Sequence, residues 1–288
     1  MVEQPQLFAT VSAGVAGRAP VVVRAQNVES ELWSGLAAVA SAPLSPWLGL
    51  EARRVRADEA ATVRAAAATV ALSTRDRDAL AALAGRAARV EWIGPPFPEE
   101  LPPGERRLAG DPPLVLLGVD GWLPNRDGAR WFLERVWPEV EARFRAAELH
   151  VFGGAGSFGR VDEGRIHFHP SPRESAEAFA TRGVLVVPLR VASGVRMKIL
   201  EAWARGTPVI ASRAAAAGLA CRAGIELLVA DDASEMIAAI EALGADHSRR
   251  ADLIAAGHAV LRSHHDAARI AWAWEQLGIS LTGSARRG

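Results

Sequence analysis

Apolar positions along this chain follow two alternating patterns: short continuous runs rich in β-branched residues, and longer stretches in which apolar residues recur every three or four positions. In the first third, residues 19–25 (APVVVRA) predict a buried strand, and residues 27–40 (NVESELWSGLAAVA) predict a helix. A second, charged helix is expected over 48–67, then a short strand at 69–73 (TVALS). The next helix, TRDRDALAALAG, has Ser73 or Thr74 as its cap and Gly85 as its stop, and a short strand at 89–93 (RVEWI) follows it.

From Gly94 to Pro113 the chain reads GPPFPEELPPGERRLAGDPP, where repeated prolines forbid regular structure and stiffen an extended connection. Beyond it, PLVLLGV, ELHVFGG, RIHFHP, GVLVVPL, TPVIAS and IELLVA are short apolar runs with helical stretches in four of the five intervals. Continuously apolar strands alternating with helices predict a parallel, doubly wound sheet covered on both faces. The organisation expected is α/β: a first domain at 1–94, a proline-rich linker at 95–113, a Rossmann-like domain at 114–265, and a C-terminal helix and tail at 266–288. Trp272 and Trp274, in the last helical stretch, are expected to pack in a core.

Composition narrows the function classes. Half of the 288 residues are apolar, enough for two modest cores. Lys plus Arg number 33, as do Asp plus Glu, so no global field draws the protein to nucleic acid; local patches, including one for peripheral membrane contact, stay open. The single cysteine, Cys221, excludes an intramolecular disulfide and a multi-cysteine zinc site. The N-terminus lacks the basic start and apolar core of a signal peptide, and no apolar run is long enough to span a bilayer, so the expected location is the cytoplasm.

Ligands of doubly wound sheets bind beyond the carboxyl ends of the strands, which directs attention to four loops. After PLVLLG, the glycines at 118 and 121 allow close backbone approach, and Pro124-Asn125 begins a helix whose free N–H groups suit a diphosphate. The second loop holds Gly154, Gly156 and Gly159 as a literal G-x-G-x-x-G; a dinucleotide fingerprint must open a helix directly, whereas this one runs on to the next strand, so a flexible ligand-approaching loop is expected. His167 and His169 alternate on one strand face without a clear third ligand, so no metal is expected there. Asp76 and Asp78 imitate a metal-binding carboxylate pair but fall in a helical stretch, where a solvated face is the default. The fourth loop, VVPLRVASGVRMKILEAWARGTPVIAS, is the densest in chemistry: Ser193-Gly194 enters a helix whose first turn carries Arg196 and Lys198, with Glu201 one turn on. Two cations at a helix N-terminus oppose the macrodipole, and an anion between them would resolve the conflict; the plainer alternative is a Lys198–Glu201 ion pair.

These stretches, taken in order with PNRDGARWFLERVWPEV, VFGGAG and IELLVADDASEMIAAI, resemble the family-four type glycosyltransferases (glycosyl transferases group 1) of the GT-B fold, in which two Rossmann-like domains face a cleft. RAQNVESELW and VALSTRDRDAL resemble the acceptor-side segments, so the resemblance covers nearly the whole chain. It implies retaining, metal-independent, hexosyltransferase-like transfer from a nucleotide diphosphate-sugar, without a cofactor, to a saccharide, lipid-linked or small-molecule acceptor, as in glycan biosynthesis. By that resemblance Glu201 accepts hydrogen bonds from the donor ribose. Arg196 and Lys198 face the diphosphate as the catalytic cations, and Ser193, Gly194 and Val195 present backbone to phosphate or sugar. Gly121 and Asn125 border the cleft, His169 lies by the base, and Gln26, Asn27 and Glu29 stand on the acceptor side.

Ser193 occupies the position, eight before Glu201, where the family usually has a glutamate, and Gln26 stands where relatives carry His. The family's glycine-rich first strand and loop have no counterpart here, which implies a truncated acceptor domain or completion by a partner chain or a missing N-terminal segment. The alternative to an enzyme is accordingly a nucleotide-sugar-binding module or inactive subunit.

Overall fold

The computed structural model describes residues 1–3, 5–15, 18–104, 107–158, 164–179 and 182–285. Gly159 of the glycine-rich motif, Glu105 and Arg106 of the linker and the last three residues of the tail lie outside the described residues. In the first third, β1 (Val22–Ala25), β2 (Ala68–Ala71) and β3 (Val90–Trp92) form a parallel sheet in that order, and Val2 bridges to Val23 beside β1. Helices Glu29–Val39 and Ser45–Ala65 follow β1 and pack on each other. Helix Thr74–Ala84 follows β2, with the Ser73 side chain capping it and Gly85, at φ +86°, ending it in a conformation that only glycine adopts without strain.

Six parallel strands make the second sheet: β4 (Pro113–Leu117), β5 (Glu148–Phe152), β6 (Ile166–His169), β7 (Val184–Val187), β8 (Val209–Ala211) and β9 (Leu228–Val229). Their spatial order is β6-β5-β4-β7-β8-β9, so the chain works outward from β4 in one direction and then from β7 in the other. The reversal between β4 and β7 leaves a crevice at their carboxyl ends, because the connections leave on opposite faces there. Central β7 is buried along its whole length, which is why it reads as an unbroken Val-Leu-Val-Val run.

Helical cover between the strands is thinner than the sequence pattern suggests. Among the described residues, full helices occupy two of the five intervals: Leu123–Arg135 with Trp137–Arg143, and Met197–Ala204. The other three hold single turns, Ala155–Phe158, Ser175–Ala178 and Arg213–Ala216. Much of the cover comes from later in the chain, where Met236, Ile240, Leu243 and Leu253 join one core cluster and Val260 and Leu261 the other.

The linker is laid along the second sheet's domain, its Phe97 N–H donating to His265 O at 2.9 Å and Leu101 N–H to Ala204 O at 2.8 Å. The last helix, Ala267–Ala285, then packs on the first sheet, where Ile270, Trp274 and Leu277 meet Ala68, Val70 and Ile93. Trp274 packs half-buried against this core, but Trp272 is 62% exposed, because the packing stripe runs through 270, 274, 277 and 281 and leaves 272 on the far side.

Candidate functional site

The crevice between β4 and β7 is framed by two helix starts. Helix Leu123–Arg135 begins after Trp122, and helix Met197–Ala204 begins after Arg196; neither flanking residue caps its helix through a side chain. First-turn N–H groups left without a side-chain acceptor, with the positive ends of two helices, favour an anion at this point.

The second of these helices is amphipathic in a way that explains its placement. Ile199, Leu200, Ala202 and Trp203 are fully buried, and the Trp203 indole donates to Glu226 O at 2.9 Å. Burying side chains of this size stabilises by roughly 1.5–3 kcal/mol each. The remaining stripe, Lys198, Glu201 and Arg205, is the polar face.

Lys198 reaches across the switch point. Its ammonium donates to Leu117 O at the end of β4 and to Asn125 Oδ1 at 3.1 Å, while Asn125 Nδ2 donates to Gly118 O at 2.6 Å. Burial, and then the repulsion of Arg196, bring the Lys198 pKa down to about 7. Asn125 is therefore neither a helix cap nor a bystander; it ties the two loops together. Gly121 is exposed and looks into open space.

Glu201 does not pair with Lys198. Its Oε1 accepts from Ser175 Oγ at 2.5 Å and from Arg205 Nε at 2.9 Å, while among the described residues Oε2 takes no hydrogen bond. Arg205 is held in turn by Pro102 O and lies over the Phe179 ring. The carboxylate is thus fixed by one oxygen and free at the other.

The loop entering this helix meets the first domain. Ser193 Oγ accepts from the Val28 N–H at 2.7 Å, both groups buried. Gly194 has φ +78°, and a Cβ there would lie 2.3 Å from Gln26 O and 2.4 Å from Asn27 Oδ1. Val195 is buried behind it. Arg196 is 7% exposed, donates to Ser193 O and lies 4.8 Å above the Trp122 ring. One of its terminal nitrogens, Nη1, has no hydrogen-bond partner, and burial lowers the guanidinium pKa to about 10 against the opposing pull of Asp76. The expected donor-side residues 193 and 194 and the expected acceptor-side residues 26 and 27 are therefore brought into direct apposition, whereas Glu29 turns to Asn27 and Glu59.

Asp76 corrects the expectation of a solvated face. It is 2% exposed, accepts from Ser73 Oγ at 2.8 Å and from the Gly194 backbone N–H, and faces Arg196, whereas Asp78 is exposed. Burial raises its pKa, with Ser73 and Arg75 pulling the other way. The Ser-x-x-Asp spacing is that of a helix N-terminal box, which places Asp76 in the first turn and at the cleft.

At the turn after β1, Asn27 Nδ2 donates to Glu29 Oε1 at 3.1 Å, and Gln26 is exposed. Glu59, buried, accepts from the Glu29 and Ser30 N–H groups and from Ser30 Oγ, so it caps helix Glu29–Val39 from a neighbouring helix; burial raises its pKa. A cavity of about 750 Å³ opens beside Glu29 and Glu59, walled by Phe8, Ala9, Val55 and Thr62.

After Gly154, Ala155–Phe158 forms a single helical turn in place of the expected loop, and Gly156 faces the Asp120 carboxylate. His169 lies 3.0 Å from His150 Nδ1 through Nε2 and stacks on Phe152 with ring centroids 4.3 Å apart. His167 and Glu148 are joined at 2.6 Å, and Glu148, His150 and His167 offer ligand atoms within 4.8 Å of one another, a grouping the sequence pattern did not reveal. The His150 and His167 rings are stacked, 17° from parallel with centroids 4.8 Å apart.

Set against known proteins, residues 114–246 match the family model described as glycosyl transferases group 1. No curated protein matches the chain by sequence. Among solved structures, the chain is similar to sucrose-phosphate synthase from Thermosynechococcus elongatus (18% identity, 97% of this chain and 78% of that one, TM-score 0.66). It is also similar to HepE from Anabaena in complex with UDP-glucose (13%, 99% and 77%, 0.66) and to α,α-trehalose 6-phosphate synthase from Burkholderia multivorans (14%, 97% and 69%, 0.68). The fold, two parallel-sheet domains apposed at a crevice, is the GT-B fold of these glycosyltransferases.

Proposed function

We propose that this chain, whose residues 114–246 belong to the glycosyl transferases group 1 family, transfers a sugar from a nucleoside diphosphate donor to an acceptor hydroxyl with retention and without a metal. The observation that carries the reading is the convergence of two helix starts that lack side-chain caps with Lys198 and Arg196 at the β4–β7 switch point, one helical turn from the open oxygen of Glu201. HepE has been solved with UDP-glucose and with UDP, which supports a uridine diphosphate-sugar as the first donor to try.

In this reading the diphosphate lies against the two helix starts and Lys198, and Glu201 Oε2 accepts from a ribose hydroxyl while Ser175 and Arg205 hold Oε1. The bond from sugar C1 to the diphosphate oxygen breaks as the acceptor oxygen bonds C1, and the acceptor's proton leaves on the diphosphate. Negative charge grows on the leaving group during this step, so cations fixed beside it lower the barrier. Gln26, Asn27 and Glu29 border the acceptor, with the cavity beside Glu29 as room for its body. His169, stacked at the end of β6, borders the base.

Calorimetry with UDP tests the donor site. Glu201→Ala should weaken binding about tenfold to a hundredfold, the loss expected for charge-assisted hydrogen bonds, and should have almost no effect on the 2′,3′-dideoxy nucleotide. Equal losses for both nucleotides would sink the ribose assignment. Release of free sugar or transfer product by the chain alone separates an enzyme from the alternative, a module that binds donor without turning it over.

A further inference from the structure

Outside the crevice, three large exposed apolar side chains of the first domain gather at one end of helix Ser45–Ala65, apart from Met1, Leu7 and Val11 near the N-terminus. Leu44 is 46% exposed, Trp47 58% and Leu50 60%. Scattered single apolar residues are ordinary on a surface, but three within two helical turns, one of them tryptophan, form a contiguous patch. The helix does not need them there: its packing face runs through Leu48, Ala52, Ala60 and Val63, all buried.

The charge beyond the patch is mainly cationic, with Glu51 at its edge. Arg53 and Arg54 are exposed on the next turn, and Arg53 has no ion-pair partner among the described residues, while Arg54 pairs with Glu51 at 3.2 Å on the surface, a contact worth little. The next exposed acid on the helix, Asp58, stands one turn from Arg54, while Arg56 beside it is exposed and, like Arg53, has no ion-pair partner among the described residues. Along the helix, an apolar tip is thus followed by a cationic collar.

We infer that the Leu44–Leu50 end of this helix seats on an anionic lipid surface, with Trp47 and Leu50 entering the headgroup boundary and Arg53 and Arg54 meeting lipid phosphates. Tryptophan favours that boundary because it is apolar in body and polar at its N–H, and arginine favours it because its charged head reaches water while its stem lies along apolar surface. The overall charge of the chain is zero, so the attraction must be local, and the patch supplies it. No described helix is long and apolar enough to cross a membrane, so the contact is a peripheral one. Glu59, which marks the acceptor-side rim, lies twelve residues along the same helix, about 18 Å from Trp47, a distance that sets how far an acceptor must stand from the lipid. The inference rests on this surface alone and is independent of the donor reading.

The test is flotation of the full chain with vesicles of phosphatidylcholine alone and of phosphatidylcholine with phosphatidylglycerol. Binding is expected on the anionic vesicles, falling with salt. Trp47→Ser with Leu50→Ser, and separately Arg53→Glu with Arg54→Glu, should each reduce it about tenfold or more, with circular dichroism and UDP affinity unchanged because all four positions are exposed. Absence of vesicle binding, equal binding to both vesicle types, or binding that survives both variants would overturn the inference. Light scattering without lipid covers the rival occupant: a dimer of this chain that Trp47→Ser dissolves would assign the patch to a second copy.

Discussion

Lys198 sits where a single proton changes what the crevice can hold. In water a lysine keeps its charge to well above neutrality; here burial and Arg196 bring it to about 7, so the empty site is divided between charged and neutral forms at physiological pH. A bound diphosphate favours the ammonium and pulls the pKa back up. The sign follows: below 7 the charge is already present, and above 7 binding must take up a proton, so affinity should weaken by up to about tenfold per pH unit there. Titration calorimetry of UDP in two buffers of different ionisation enthalpy should show uptake approaching one proton above pH 7, absent in Lys198→Met. Uptake of the same size in the variant would place the titrating group elsewhere. Lys198 and Glu201 were legible in the sequence because they follow a glycine-containing loop at a strand–helix junction, where backbone chemistry narrows the choices. Asp76 was not, since Ser-x-x-Asp reads as a local cap, and its partners Gly194 and Arg196 are joined to it only by the tertiary fold.

At the scale of elements, the loop from Ser193 to Arg196 is a two-sided fitting. One side feeds the helix that carries Lys198 and Glu201; the other is pressed against the turn at the end of β1, through the Val28 N–H, Gln26 O and Asn27. Gly194 is required twice over, for its positive φ and for the absence of a Cβ against Gln26 O, and Gly218 closes on it from behind, where a Cβ would lie 2.1 Å from Gly194 O. Gly194→Ala should therefore cost at least about 1–3 kcal/mol in backbone strain alone and push the two domains apart. A lowered melting temperature together with a larger radius of gyration by solution scattering is the expected result, and a variant that melts like the parent would mean the seam does not form in solution. The strands on either side of this loop were legible because runs such as Val-Leu-Val-Val bury both faces. The thin cover between β5 and β6, β6 and β7, and β8 and β9 was not, because a three- or four-residue turn leaves no periodicity to read.

For the whole molecule, the last helix decides how the two sheets are tied. It leaves the second domain after His265, whose ring is held by Pro95 O, and lays Ile270, Trp274 and Leu277 across Ala68, Val70 and Ile93 of the first sheet. That crossing was invisible in sequence, where an amphipathic helix declares which face it buries but not which sheet it buries it against. It separates two things the proposed reaction needs: Lys198 and Glu201, the proposed donor groups, stand in the second domain, while the apposition of residues 193–194 with 26–28 depends on both. Truncating Ile270 and Leu277 together to alanine should remove about 2 kcal/mol or more per side chain from the packing of the first sheet and leave Lys198, Glu201 and the two helix starts untouched. UDP affinity should then stay within about twofold, a difference of no more than ~0.4 kcal/mol, while the melting temperature and sugar transfer both fall. If UDP affinity falls in step with transfer, the donor site is not confined to the second domain, and the closed seam itself must hold part of the nucleotide.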